Sequence, residues 1–299
     1  FAMAGLLLPT SVNVLFDGKS MLTVPSEKRG AVMVFQKHLL FPTMNVGQNV
    51  GFGLRMRGVN KQEIETRVKE MLELVRLPGY ENRMAHELSG GQQQRIALAR
   101  ALVIKPRVLL LDEPLANLDA NLRLDMRELI RNIQREMGIT SIFVTHDQEE
   151  AVMLADRVAL IFEGVLQQFD TPRAFYDQPR TAGVARFFRN DNFLAGTKQG
   201  RQVETPLGTL NVAHTEAQPD GPVLVTVRPE DVQLGSAPNN NSLQAKVTTS
   251  VYMGTYTQLQ LDVAGQTWRA QGPADYQAKP GDTVSINLPA KRIWLLPVE

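Results

Sequence analysis

The sequence predicts an α/β domain built on a parallel sheet, followed by a small all-β domain. Three observations carry this. Up to about residue 190, apolar strands alternate with helices whose apolar residues recur along one face. Beyond it, short strands alternating apolar and polar residues take over. Two early runs, RVLLL at 107–111 and SIFVT at 141–145, are apolar, aromatic or β-branched at most positions, so they suit parallel strands buried on both faces.

The elements follow in order. The opening FAMAGLLLPTSVNVLF is uncharged, but it lacks a basic leader and Pro9 interrupts it, so it does not read as a signal peptide. No apolar run approaches the roughly 18 residues that span a bilayer, so a soluble protein, or one held to a membrane through a partner, is expected. NVLFDGKS at 13–20 ends like a phosphate loop, yet Asn13 stands where that motif needs glycine, and Pro25 follows too closely for a helix. Asp17–Gly18 reads instead as a hairpin turn. An apolar run at 31–35 ends in Gln36.

In the next helix Ile64, Val68, Met71, Leu72 and Val75 share a face. Asn60 and Glu63 have cap spacing, and Pro78 and Gly79 are the expected stop. In LSGGQQQR at 88–95, Ser89 caps a helix whose positive end can meet phosphate, and two glycines permit close backbone approach. A further helix carries Leu122, Met126, Leu129, Ile133 and Met137, with Gly138 at its end. Asp147 caps the helix after that. Segment 178–200 reads as a connection, and 235–242 (GSAPNNNS) as a polar loop. Val223, Val225 and Val227 alternate along one strand. Leu259, Leu261 and Val263 alternate into a turn at Ala264–Gly265 that returns through Trp268.

Bulk composition is ordinary, with 43% hydrophobic and 21% charged residues in 299. A net charge of +1 and no basic patch point away from nucleic acid. The absence of cysteine excludes disulfides and thiolate-bound zinc. His38, His86, His146 and His214 are scattered and suggest no metal cluster.

The chemistry gathers where predicted strands end. Asp112 and Glu113 follow the strand at 107–111, and ligands bind at the C-terminal edge of such sheets. One acid there can hold Mg²⁺ while the other orients an attacking water. A bare pair of acids is more often a simple turn, so its company decides. His146 leaves the next strand at the same edge and could donate to a phosphate. The amide of Gln36 can ligate a metal ion or orient water.

VFQ, LSGGQQQR, VLLLDEP, LANLD and VTH stand in that order, and together they make the chain resemble the nucleotide-binding subunits of ABC transporters. The resemblance implies a P-loop NTPase-like ATPase domain with a helical subdomain at about 46–88. VRPEDV at 227–232 and VYMGTYTQLQL at 251–261 resemble a small OB-like TOBE domain of the importer branch. The implied domains are 1–190 and 191–299.

The resemblance also implies roles. Asp112 holds Mg²⁺, with Gln36 as a further ligand; Glu113 is the catalytic base and His146 the switch histidine. Ser89, Gly90, Gly91 and Gln92 close over ATP bound to a second subunit, head to tail, and Asp119 lies in the loop crossing that interface. The implied partners are a second ATPase subunit, membrane permeases docking through a coupling helix, and indirectly a solute-binding protein. The implied location is the cytoplasmic face of a bacterial inner membrane.

The sequence holds no G-x-x-x-x-G-K-[ST] loop. The resemblance places its start inside the helix after that loop, with roughly 40–50 family residues expected before it in a domain of ordinary size. This chain by itself is therefore expected to fold poorly and to hydrolyse little ATP. The alternative expectation is a non-catalytic half that lends its signature helix to an intact partner.

Overall fold

Apolar runs with few polar neighbours bury themselves best as parallel strands, and the first compact unit is organised around such strands. In the computed structural model, residues 1–37, 39–214, 216, 218–235 and 241–298 are described. They divide into two compact units, Phe1–Ala155 and Asp156–Glu299.

The first unit opens with turns rather than the helix expected at its start. β1 (Leu15–Phe16) and β2 (Lys19–Ser20) pair antiparallel across Asp17 and Gly18, both at positive φ. The GKS decoy is thus a two-residue hairpin, as its Asp-Gly step predicts. β3 (Ala31–Val34) leads to α1 (Val46–Met56), α2 (Lys61–Leu74) and α3 (Gly90–Leu102). β4 (Val108–Asp112), α4 (Ala120–Met137), β5 (Thr140–Val144) and α5 (Gln148–Leu154) complete the unit. The sheet order is β3-β4-β5, parallel throughout, with Val34 opposite Leu111 and Asp112 opposite Val144.

Caps fall where the sequence places them. Asn60 accepts from the Glu63 N–H, Asp119 from Leu122 N–H, and Asp147 from Glu149 and Glu150 N–H. Gly138 ends α4 in the left-handed conformation. α2 stops before Pro78–Gly79, because Arg76 already turns left-handed at φ 60°. Val50, Leu54, Leu72, Ile96, Leu102, Leu109, Leu111 and Met126 form the centre of the core.

β5 corrects one expectation. Among the described residues it pairs only with β4, and it is not buried on both faces, since Ile142 and Val144 are exposed.

The second unit begins with the hairpin β6 (Val158–Phe162) and β7 (Val165–Asp170), followed by α6 (Pro172–Asp177) and α7 (Ala182–Phe187). Strands follow as β8 (Phe193–Gln199), β9 (Gln202–Thr205), β10 (Gly208–Asn211), β11 (Gly221–Thr226), β12 (Gln233–Leu234) and β13 (Ser242–Tyr252). β14 (Tyr256–Val263), β15 (Gln266–Pro273), β16 (Thr283–Asn287) and β17 (Trp294–Pro297) close the chain. They form two antiparallel sheets, ordered β10-β9-β8-β11-β17 and β12-β16-β13-β14-β15. The alternation seen in the sequence is the burial pattern. Val223, Val225, Leu259, Leu261, Val263 and Trp268 all sit in one core. The turn at Ala264–Gly265 is present, with both residues at positive φ.

Segment 178–200 is not a bare connection, since it contains α7 and all of β8. Its helix packs onto the strands, with Ala182 and Ala185 against Phe193 and Leu296. Arg228 draws the same region in. Its Nε donates to the Tyr176 carbonyl at 2.8 Å, and its Nη1 to the Phe188 carbonyl at 3.1 Å. The Trp294 Nε1 donates to the Pro179 carbonyl at 2.9 Å. This packing places residues 156–188 in the second compact unit, whereas the change of composition falls near 190. Of the predicted polar loop, 236–240 lie outside the described residues, as does His38. Asn241 is not a loop ornament. It is buried, donates to the Asn211 and Leu288 carbonyls, and accepts from the Asn211 N–H. No helix among the described residues is long and apolar enough to cross a membrane.

Candidate functional site

Three parallel strands release their last residues at one edge, and that edge gathers the polar groups. Gln36 follows β3, Asp112 ends β4 with Glu113 next, and His146 lies just after β5. The Gln36 Nε2 donates to Glu113 Oε2 at 3.4 Å, and the His146 Nδ1 lies 3.2 Å from Glu113 Oε1. Glu113 is therefore the centre of the group, held by an amide on one oxygen and an imidazole on the other. With Glu113 ionised, the Nδ1–H tautomer of His146 is the donor.

The backbone of Glu113 is unusual. Its φ is +43°, a left-handed conformation that costs a non-glycine residue about 1–2 kcal/mol. A hydrogen bond from its N–H to the Val144 carbonyl at 2.9 Å fixes it there. Strain of this kind concentrates at functional sites. It re-aims the side chain away from the alternation of the strand and out over the sheet edge.

Asn117, within the LANLD run, donates from Nδ2 to the Gln36 carbonyl at 3.2 Å, so the turn after β4 also fixes the turn after β3. Beside Gln36 lies a cavity of about 430 Å³ lined by Lys37, Leu39, Pro42, His86, Gln93 and Asn117, among others. It joins the loop after Gln36 to the start of α3.

Ser89, Gly90, Gly91 and Gln92 form a second cluster. The Ser89 hydroxyl accepts from the Gln92 N–H, and the Gln92 side-chain carbonyl accepts from the Ser89 N–H at 3.0 Å, a reciprocal cap. Ser89 and Gly90 are exposed, and a side chain at Gly90 would meet nothing within 4 Å. Gly91 is buried, with its α-carbon facing Leu122 of α4. Asp119 is exposed at the start of α4, where it caps. The structure thus joins Gln36, Glu113 and His146 directly, keeps Asp112 next to them in the chain, and presents Ser89, Gly90 and Asp119 to solvent.

The turn that carries His146 is tied down on either side. Thr145 Oγ1 donates to Glu150 Oε2 at 2.6 Å and accepts from the Asp147 N–H at 2.9 Å. Burial pushes the Glu150 carboxyl above its usual range, while the Thr145 hydrogen bond works the other way.

Comparison with known proteins bears on this geometry. The ABC transporter family profile matches residues 2–116, and the TOBE domain profile matches residues 225–296. The Fe(3+) ions import ATP-binding protein FbpC of Mannheimia succiniciproducens is 45% identical over 267 residues, covering 88% of this chain and 76% of the relative. This chain belongs to the ATP-binding proteins of ABC transporters. The FbpC of Pasteurella multocida is 44% identical over the same coverage. Among solved structures, cbiO1 from Clostridium perfringens, part of the ABC transporter complex cbiONQ, matches with a TM-score of 0.55 and 32% identity. That match covers 59% of this chain and 72% of the other. The chain is thus an ABC ATP-binding protein of P-loop NTPase fold, as the five motifs imply, carrying a C-terminal TOBE domain, as the runs at 227–232 and 251–261 imply.

Three features of this ABC site escaped the sequence. Asn117 was part of a quoted motif, but nothing local marks it as a tether for Gln36. The left-handed Glu113 has no sequence signal, since glutamate is not a turn residue. The Thr145–Glu150 bridge is hidden because a threonine at a strand end reads simply as β-branched.

Proposed function

We propose that this chain is the ATP-hydrolysing subunit that powers import of ferric ions through an ABC transporter. The observation that carries the reading is the group Gln36, Glu113 and His146 at the sheet edge. The names of its 44–45% identical relatives suggest the solute. They do not favour the non-catalytic alternative.

Glu113 would take the proton from the attacking water. Gln36 and His146 each meet one of its oxygens and so orient the carboxylate, and the base is positioned before substrate arrives. His146 would face the terminal phosphate. Ser89, Gly90, Gly91 and Gln92 would meet the ATP held by a second copy, head to tail, and Asp119 would lie at that interface.

The donor set suits magnesium. Among the described residues no group of three or more His, Asp or Glu could hold a metal ion. Mg²⁺ asks for less, since it is bound through one or two carboxylates with water and phosphate oxygens filling the rest. Asp112 and the Gln36 amide oxygen would hold it, and when bound it would neutralise phosphate charge.

The cavity beside Gln36 would receive a permease segment, and the subunit would then sit at the cytoplasmic face of the bacterial inner membrane, with a solute-binding protein further out. Residues 1–190 would make up the ATPase domain and 191–299 the TOBE domain.

The test is transport itself. In vesicles with its permease and a subunit that carries the phosphate loop beside these residues, ATP turnover should rise several-fold when ferric-loaded binding protein is added, and iron should enter the vesicle. Turnover that ignores ferric ion, but responds to a sugar or polyamine with its binding protein, would overturn the assignment of solute and leave the ATPase reading intact.

A further inference from the structure

His146 poses a problem of positioning. Its side chain is 74% exposed, so no packing holds the ring beside Glu113. Its orientation must come from the backbone turn on which it stands. That turn is gripped from α4. Arg127, buried on that helix, sends Nη2 to Asp147 Oδ2 at 3.0 Å and Nη1 to Glu149 Oε2 at 3.0 Å. Nη2 also lies 3.9 Å from Glu150 Oε1. Arg123, one turn earlier, places Nη1 3.6 Å from the same Asp147 oxygen and donates from Nη2 to the Leu118 carbonyl.

Two of the three carboxylates so held, those of Asp147 and Glu150, are tied to the residues around His146. The other oxygen of Asp147 accepts the Glu149 and Glu150 N–H groups. The Asp147 N–H and the Glu150 carboxylate meet on the Thr145 hydroxyl. The residues on both sides of the histidine are therefore fixed to one guanidinium.

A buried arginine facing three carboxylates is costly to place, and a planar fork fixes direction where a point charge would not. We propose that Arg127 is a positioning residue for hydrolysis: it holds the turn from Thr145 to Glu150 so that the His146 imidazole stays on Glu113. This rests on the reading of Gln36, Glu113 and His146 as the hydrolytic group. Because Arg127 stands on the helix that Asp119 caps, a shift of that helix would move the imidazole as well.

Two variants and two measurements test it. Arg127→Lys keeps the charge and loses the fork, and Thr145→Val removes the hydroxyl while keeping the shape. Imidazole nitrogen resonances, with His146 assigned by His146→Ala, should show an Nδ1–H tautomer in the parent and a mixed-tautomer pattern in both variants. In a purified subunit that also carries a phosphate loop, kcat should fall about tenfold or more, as small misplacements of a reacting group do, with the KM for ATP within about twofold. If Arg127→Lys fails to fold, Thr145→Val decides. An unchanged His146 pattern in the folded variants, or a KM that worsens in step with kcat, overturns the proposal. Glu113→Gln separates the two readings: if it leaves turnover intact, the hydrolytic group itself is misassigned.

Discussion

Made in a subunit that carries a phosphate loop as well as these residues, Glu113→Gln should abolish ATP turnover while leaving ATP binding unchanged. The substitution is nearly isosteric, and the amide oxygen can still accept from Gln36. It removes the one group that accepts a proton while flanked by the Gln36 amide and the His146 imidazole. A well-placed general base is worth about 10²–10⁴ in rate, so the loss should fall in that range or beyond it. The left-handed backbone of Glu113 aims the carboxylate out over the sheet edge, where these partners meet it. Steady-state hydrolysis beside a nucleotide-binding titration is the measurement. Turnover within about tenfold of the parent would assign the base elsewhere, since that is less than the effect of general catalysis.

Trp268→Ala should be among the most destabilising changes in the second unit. The indole is fully buried between strands, opposite Leu261, and its Nε1 donates to the Phe193 carbonyl at 3.1 Å. Removing it leaves a large cavity, and buried tryptophan-to-alanine changes cost about 3–5 kcal/mol. That is a large share of the 5–15 kcal/mol that ordinarily holds a domain together. Trp268→Phe separates packing from polarity: it keeps most of the apolar area and should cost about 1 kcal/mol for the hydrogen bond. Denaturant midpoints read by far-ultraviolet circular dichroism would rank the variants. A Trp268→Ala protein within 1 kcal/mol of the parent would mean that the sheets collapse into the space, with less than the usual cavity cost.

The elements that could be read beforehand are those whose cause is local. The Asp17–Gly18 turn, the Asn60, Asp119 and Asp147 caps, and the alternating valines and leucines around Trp268 each follow from residue type and spacing. What could not be read depends on partners distant in sequence. β5 reads as a strand buried on both faces, but whether its faces are covered depends on what packs against them. Asn241 sits in a run of identical residues, yet it bridges Asn211 and Leu288. In the site, Glu113 was visible as an acid after a strand, whereas its φ and its two neighbours come from the fold. Arg127 was invisible for the opposite reason. A charged residue among the apolar stripe of a helix reads as solvent-facing, and its burial appears only when α5 brings three carboxylates to it.

The grip of Arg228 on the carbonyls of Tyr176 and Phe188 has a thermodynamic consequence. Helices as short as α6 and α7 would fray one by one if they stood alone. Fastened to the end of β11, they share its fate, so residues 156–188 and the two five-stranded sheets should open as a single cooperative block. Native-state hydrogen exchange should then give the slow amides of α7 the same opening free energy as those of β11, and Arg228→Met should release the helices to exchange earlier while the strands keep their protection.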